Sequence, residues 1–157
     1  MKRVILFYAI LLICIMSVYS QSTGAYYNYE TECLGIEHDG SQTLRVWANG
    51  RNRSDALEQG RKNAVYEVLF TGVKKGNGGC ESKPLLIEVN AREKYQYYFN
   101  PFFKDKGEYL KYVSMEDSRV GTKKREKRRE QVKFGVTVRV LREELKNKLI
   151  EDKIIKP

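Results

Sequence analysis

The chain has 157 residues, of which 29 are lysine or arginine and 20 are aspartate or glutamate, so its formal net charge is +9. A chain of this length provides for one domain with one hydrophobic core. It has one histidine and three cysteines, and no two cysteines are closely spaced. That composition argues against a structural zinc site, and we predict no metal or other cofactor.

The first 20 residues have the pattern of a secretory signal peptide. The basic pair Lys2-Arg3 precedes an apolar run from Val4 to Val18, and Val18 and Ser20 occupy the −3 and −1 positions of the predicted cleavage site. The apolar run is shorter than the roughly 20 residues that a membrane-spanning helix needs. We therefore predict a signal peptide over residues 1–20 and a single domain over residues 21–157.

A signal peptide predicts export to the periplasm, the cell surface or the extracellular space, with no membrane-spanning segment in the mature chain. One alternative is an uncleaved anchor helix, and another is a lipoprotein with Cys14 as the lipid acceptor. Cys14 follows the large residue Ile13, whereas acceptor cysteines usually follow a small one. Cleavage lowers the formal net charge to +7, and anionic lipid head groups or acidic polymers are natural partners of such a charge outside the cell.

The first half of the mature chain predicts two strands and a helix. Residues 31–36 favour a short strand, and residues 43–49 a clearer one, because Leu44, Val46 and Ala48 alternate with polar residues and Trp47. Ser54 is the predicted N-cap of a helix from Asp55 to Phe70. A glycine-rich loop then follows over residues 74–83.

The mature chain keeps two cysteines, Cys33 and Cys80. An even number of cysteines in an exported chain predicts a disulfide. It would close a loop of about 47 residues and stabilise the fold by roughly 3–4 kcal/mol in the chain-entropy model. Two free buried thiols are the alternative.

The second half of the chain adds a predicted strand over residues 85–89, a helix over 91–99 that ends before Pro101, and strands over 109–115 and 131–141. The last strand is the clearest in the chain, because five apolar residues alternate along it: Val132, Phe134, Val136, Val138 and Val140. A final helix begins at Leu141. This order predicts an α+β fold, with a mainly antiparallel sheet of about four to five strands packed by two or three helices.

Residues 123–129 form a basic segment between the last two predicted strands. Its candidate contacts to an anionic partner are Lys123, Lys124, Arg125, Lys127, Arg128 and Arg129. Such a segment attracts phosphate and other anionic groups, with a steep dependence on salt. A solvated loop without a partner is the alternative.

Aromatic residues are concentrated between residues 95 and 112, and we expect about half of them in the core. The remainder predict an aromatic surface for a peptide, a glycan or a partner protein. Its candidate residues are Trp47, Tyr97, Tyr98 and Phe102. Plain core packing is the alternative for these residues.

The segment Val46-Trp47-Ala48-Asn49-Gly50, followed by Ala56 and Gly60-Arg61-Lys62-Asn63-Ala64-Val65, resembles a strand-to-helix unit of small exported bacterial domains. These are lipoproteins of the LPP-twenty type and the N-terminal domain of the flagellar assembly protein T family. The signal peptide is similar to those of exported Bacteroidetes proteins. The resemblance implies an envelope-associated binding or assembly module and supplies no catalytic residues.

The sequence thus favours an exported, non-enzymatic module that binds another envelope component, with no small-molecule substrate inferred. Binding of an anionic polymer, such as nucleic acid or a lipid surface, through residues 123–129 is one alternative. A small secreted hydrolase that uses two carboxylates is the other, although no catalytic residue is predicted. A pocket with two carboxyl groups about 5–9 Å apart and a raised pKa would favour the hydrolase.

Overall fold

The computed structural model describes residues 29–50, 52–115, 127–128 and 131–156, so the predicted signal peptide lies outside the described residues. The strands are β1 (Glu30–Ile36), β2 (Gln42–Gly50), β3 (Val113–Met115), β4 (Lys127–Arg128) and β5 (Gln131–Val140). The helices are α1 (Arg53–Tyr66), α2 (Ala91–Lys94), α3 (Gln96–Phe102) and α4 (Arg142–Glu151). A π-helical turn, Glu67–Thr71, continues α1, and a 3₁₀ turn, Glu108–Tyr112, precedes β3.

The strands form one antiparallel sheet in the order β1-β2-β5-β3, and the two-residue β4 also pairs with the start of β5. Strands β2 and β5 lie at its centre and pair without interruption from Gln42 opposite Val140 to Gly50 opposite Val132. The predicted α+β fold and the two clearest predicted strands are therefore confirmed.

Helix α1 packs closely against one face of the sheet. A Cβ atom at Gly60 would lie only 3.1 Å from Val136 Cγ2 and 3.7 Å from the Ala48 Cβ, so the absence of a side chain brings the helix near the sheet. Val46 and Val138 are fully buried on this face. Each buried valine contributes about 1.5–3 kcal/mol of hydrophobic stabilisation, as an upper estimate.

Aromatic rings fill the space between α1 and the later helices. Phe99 lies at their centre, with ring centroids 4.9 Å from Phe70 and 6.0 Å from Phe102. The other buried rings in this core are Phe103, Tyr109 and Tyr112. Most of the aromatic residues concentrated in this part of the sequence therefore belong to the core.

The predicted strand over residues 85–89 is wrong. The amides of Leu85 and Leu86 donate to the carbonyls of Val68 and Leu69, at 3.0 and 2.9 Å, so this segment satisfies the end of the long helix. Ile87 and Val89 are 79% and 87% exposed. The apolar run suggested a buried strand, but only its first two residues lie against the core.

The helix starts and one further strand also differ from prediction. Asn52, not Ser54, caps α1, because its side chain accepts a hydrogen bond of 2.9 Å from the Asp55 amide. The predicted helix over residues 91–99 is divided at Tyr95 into α2 and α3, and α3 continues through Pro101. Residues 109–112 form a 3₁₀ turn, which lets two buried tyrosines three residues apart face the core, and only 113–115 pair as a strand.

Candidate functional site

The sheet has a second face against which none of the described helices packs. We call it the open face and define it by side chains that alternate with the buried ones along the strands. They are Glu30 and Glu32 of β1, Thr43, Arg45, Trp47 and Asn49 of β2, and Thr137 and Arg139 of β5. All of them are half-buried or exposed. An antiparallel sheet commonly keeps one face available in this way.

Trp47 lies near the centre of the open face and covers Gly135 of β5. A Cβ atom at Gly135 would lie 2.9 Å from Cζ3 of the indole, and 3.1 and 3.2 Å from the neighbouring Cη2 and Cε3 atoms. Three nearly equal distances mean that the ring face, not its edge, lies over the glycine. Because Gly135 has no side chain, the indole can lie flat against the backbone of β5.

Two ion pairs lie to one side of the tryptophan, towards the start of β2. Arg45 Nη1 lies 3.4 Å from Glu32 Oε2 on the neighbouring strand, and Arg139 Nη2 lies 3.4 Å from Glu37 Oε1. Their side chains are between about one third and one half exposed, so each pair contributes at most about 1 kcal/mol to stability. Arg45 Nε is buried and has no hydrogen-bond partner among the described residues. The open face thus carries both donors and acceptors beside an aromatic ring.

A shallow hollow of about 230 Å³ opens beside Trp47, along the outer edge of β1. Its lining residues are Glu30, Thr31, Glu32, Trp47, Lys75 and Gly76. Thr31 is only 6% exposed and lies opposite the buried Val46, so its side chain belongs to the other face of the sheet, and Glu30, Glu32 and Lys75 supply the polar side chains of the hollow. The hollow is therefore polar on most sides and aromatic on one.

The glycine-rich loop forms one wall of this hollow because a disulfide holds the loop against β1. Cys33 and Cys80 are bonded, with their Cα atoms 5.8 Å apart, which confirms the predicted disulfide. The Cys33 amide donates to the Lys75 carbonyl at 2.8 Å. At Gly76 the backbone has a φ of +101°, and a Cβ atom would lie 2.3 Å from the Cys33 oxygen, so only glycine fits.

Two of the six predicted basic contacts lie in described segments. Lys127 and Arg128 form β4 and pair with Val132 and Gln131 at the end of the sheet where β2 meets α1. Lys123, Lys124, Arg125 and Arg129 lie outside the described residues.

The structure does not bring the four predicted surface aromatics together. Phe102 is buried in the core, so it is not a surface residue. Tyr98 is half-buried, stacks on Phe102, and donates a hydrogen bond of 2.6 Å to Asp152. Tyr97 is 71% exposed on α3. Trp47 lies on the open face, away from these helices, and is the one member that the site retains.

Sequence reasoning missed the hollow's other residues. Glu30, Glu32 and Arg45 share the face of Trp47 because side chains two apart on a strand point the same way, and strands β1 and β2 place Glu30 directly opposite Trp47. For Arg45, the alternation of side chains along β2 was already visible in the sequence and placed it on the face of Trp47. Lys75 was not predictable, since it reaches the site only through the loop held by the disulfide.

A buried lysine lies on the other side of the molecule. The Lys62 side chain is 8% exposed and is paired with Asp105, whose side chain is 82% exposed. Its amine also lies 5.7 Å from the centre of the Tyr109 ring. A hydrogen bond from the Lys62 amine, together with its positive charge, holds the pKa of the Asp105 carboxyl below its usual value. Tyr109 donates to Glu58 at 2.6 Å, which completes a structural cluster between α1 and the 3₁₀ turn.

A half-buried carboxyl, that of Glu67, lies where α1 becomes the π-helical turn. Tyr29 donates a hydrogen bond of 2.8 Å to Glu67 Oε2. Burial raises the pKa of Glu67, although the Tyr29 hydrogen bond acts in the opposite direction. Burial, together with the neighbouring Glu67, raises the pKa of the Tyr29 hydroxyl, so this group stays a hydrogen-bond donor.

Within the described ranges, no group of three histidine, cysteine or acidic residues is arranged to hold a metal ion. The helices of those same ranges include none with the length and apolar character to cross a membrane. No family model matches the chain, and neither a curated protein nor a solved structure matches it.

Proposed function

We propose that this chain is an exported, non-enzymatic module that binds a component of the bacterial cell envelope through the open face of its sheet. The observation that carries this proposal is the position of Trp47, a half-buried indole that packs on Gly135 beside charged side chains. Tryptophan and arginine concentrate at binding surfaces, because each buries a large area at a modest entropic cost. Trp47 and Arg45 place one residue of each type on the open face.

Export is supported by the disulfide between Cys33 and Cys80. Such bonds persist in oxidising compartments and are rare in the cytosol. Cell fractionation with sequencing of the mature end tests this part of the proposal. We expect the exported chain to begin at Gln21, and a lipid-modified start at Cys14 would instead make it an anchored lipoprotein.

The hydrolase alternative requires two carboxyl groups, one of which carries the proton for the leaving group. Arg45 engages Glu32 on the open face, and Arg139 engages Glu37 just beyond β1, an arrangement suited to charge balance. The described carboxyl with a raised pKa is Glu67, and it is occupied by Tyr29. These contacts favour binding over hydrolysis. The resemblance to envelope-assembly domains also supports a binding role.

Binding of an anionic polymer is a second candidate, supported by the position of Lys127 and Arg128 at one end of the sheet. Replacement of the six basic residues between 123 and 129 by serine should then abolish binding to anionic vesicles or nucleic acid. Wild-type affinity should fall steeply as salt rises. Equal binding by both proteins at two salt concentrations would exclude this candidate.

The main proposal is tested by retention of envelope extract on the immobilised chain. Trp47→Ala should reduce the retained material at least about tenfold, since a central aromatic contact is often worth 2 kcal/mol or more. Tyr97→Ala is the matched control, because Tyr97 is an exposed aromatic on α3. Equal retention by wild type and Trp47→Ala would overturn the proposal.

A further inference from the structure

We infer that the hollow beside Trp47 binds a neutral pyranose ring of an envelope polysaccharide. This inference rests on the proposed function and adds the chemical class of the ligand. It depends on three features of the hollow: an aromatic wall, hydrogen-bonding groups of both kinds, and balanced charges that give an anionic ligand no net attraction.

The aromatic wall suits the apolar side of a sugar. One face of the indole is seated on Gly135, so the ring is held flat and loses little freedom when a ligand contacts its remaining exposed surface. The C–H groups on one side of a pyranose form a flat, weakly positive surface. Such a surface packs on the electron-rich face of an aromatic ring.

The polar groups around the hollow suit hydroxyls, which donate and accept at once. Glu30 is directly opposite Trp47 in the strand register, and Glu32 follows two residues later on the same face. Lys75 brings an ammonium donor from the loop. Carboxylates accept hydrogen bonds and an ammonium donates them, so the lining can satisfy both roles of a sugar hydroxyl.

The lining residues of the hollow also argue against an anionic ligand and against a protein partner. Two carboxylates line the hollow with one lysine, and Arg45 beside it is paired with Glu32. These charges balance, so the hollow offers no net attraction to a phosphate or other anionic group. Trp47 is the one large apolar side chain among the lining residues, which is less than the apolar centre of a typical protein interface. A neutral, polyhydroxylated ligand is the best match.

Trp47 is also a direct probe, because it is the only tryptophan of the chain. Intrinsic fluorescence of the full exported chain should change saturably when neutral oligosaccharides of glucose or N-acetylglucosamine are added. Calorimetry should show about tenfold or greater weakening for Trp47→Ala. Glu30→Gln, which keeps the side-chain shape, should also weaken binding, while Tyr97→Ala should not. Circular dichroism melts confirm that each variant is folded. If Trp47→Ala fails to fold, Trp47→Phe, which retains an aromatic ring, replaces it in the comparison.

Treatment of the envelope extract separates this inference from the proposed function. Periodate cleaves vicinal diols of sugars, so retention that is lost after periodate and kept after protease supports a glycan. Retention that is lost after protease and kept after periodate overturns the glycan inference while the binding module stands. Failure of the untreated extract to bind at all refutes the proposed function itself. Sugar binding that Trp47→Ala leaves unchanged also overturns the inference.

Discussion

The bond between Cys33 and Cys80 fastens the glycine-rich loop along the outer edge of strand β1. Cys33 donates its amide to the Lys75 carbonyl at 2.8 Å, and Gly76 forms an isolated bridge with it. The other edge of β1 pairs with β2. An uncovered edge strand is a template for unwanted pairing with other chains. The disulfide therefore protects the sheet edge and shapes the hollow beside Trp47.

Removal of this disulfide should destabilise the protein and uncover the edge. The double variant Cys33→Ala/Cys80→Ala should lose roughly 2–4 kcal/mol of unfolding free energy in urea titrations. Hydrogen exchange at the amide of position 33 should become fast, because the loop that accepts its hydrogen bond is released. The Val46 amide, in a central strand, serves as the control and should stay protected. Persistent protection at position 33 would show that the loop remains in place without the bond.

The packing of Trp47 on Gly135 can be tested with two glycines of the same sheet. Gly135→Ala should cost about 1–3 kcal/mol of stability, because the new Cβ atom would lie 2.9 Å from the indole. Gly35→Ala is the matched control: a Cβ atom there has no heavy atom within 4 Å, so its stability should be close to wild type. Thermal melts or urea titrations measure both.

The double variant Gly135→Ala/Trp47→Ala identifies the cause of that loss. If the indole is the clashing group, the added cost of Gly135→Ala should largely disappear when Trp47 is already alanine. An equal cost in both backgrounds would attribute the effect to the backbone of β5 instead.

The sequence predicted β2 and β5 well because both are half-buried strands whose alternation is uninterrupted. It failed at Leu85–Val89, since a short apolar run does not show whether its backbone will pair with a strand or cap a helix. It also placed Trp47 on the polar side of its strand correctly. Gly135 and Lys75 were beyond sequence reasoning, because the contact of Gly135 with Trp47 depends on strand pairing and the place of Lys75 in the hollow depends on the path of a disulfide-held loop.

The Lys62–Asp105 pair should give the protein an acid-sensitive contribution to stability. The pKa of Asp105 is lowered in the fold, so its contribution is present above the ordinary value of 3.8 and is lost as pH falls through the lowered pKa. Asp105→Asn should therefore destabilise the protein at pH 7, by at most about 1 kcal/mol since the carboxylate is exposed. The difference should shrink as pH falls below 3.8, as urea midpoints across pH would show.

Lys62→Met is the control for this pair. It removes the buried charge and fills the same space with an apolar chain, which is often tolerated. We expect it to abolish the pH-dependent difference at position 105. A pH-independent effect of Asp105→Asn would contradict an electrostatic role for the pair.

Glu67 should produce the opposite pH dependence. Burial raises its pKa above the ordinary value of 4.5, so the fold favours the protonated carboxyl. Its contribution to stability is complete below the unfolded pKa and is lost as pH rises through the folded one. Glu67→Gln keeps an oxygen that accepts the Tyr29 hydrogen bond and cannot ionise. That variant should be more stable than wild type at pH 7, and the advantage should shrink towards pH 4.

Tyr29→Phe makes the comparison decisive, because it should act in the other direction. Loss of the hydroxyl removes a hydrogen bond that stabilises the Glu67 carboxylate. The ionised form becomes more costly, so stability at pH 7 should fall while stability near pH 4 stays closer to wild type. Urea titrations of both variants at the two pH values measure this. A lower stability of Glu67→Gln than of wild type at pH 7 would mean that the ionised carboxylate is preferred in the fold, contrary to the effect of its burial.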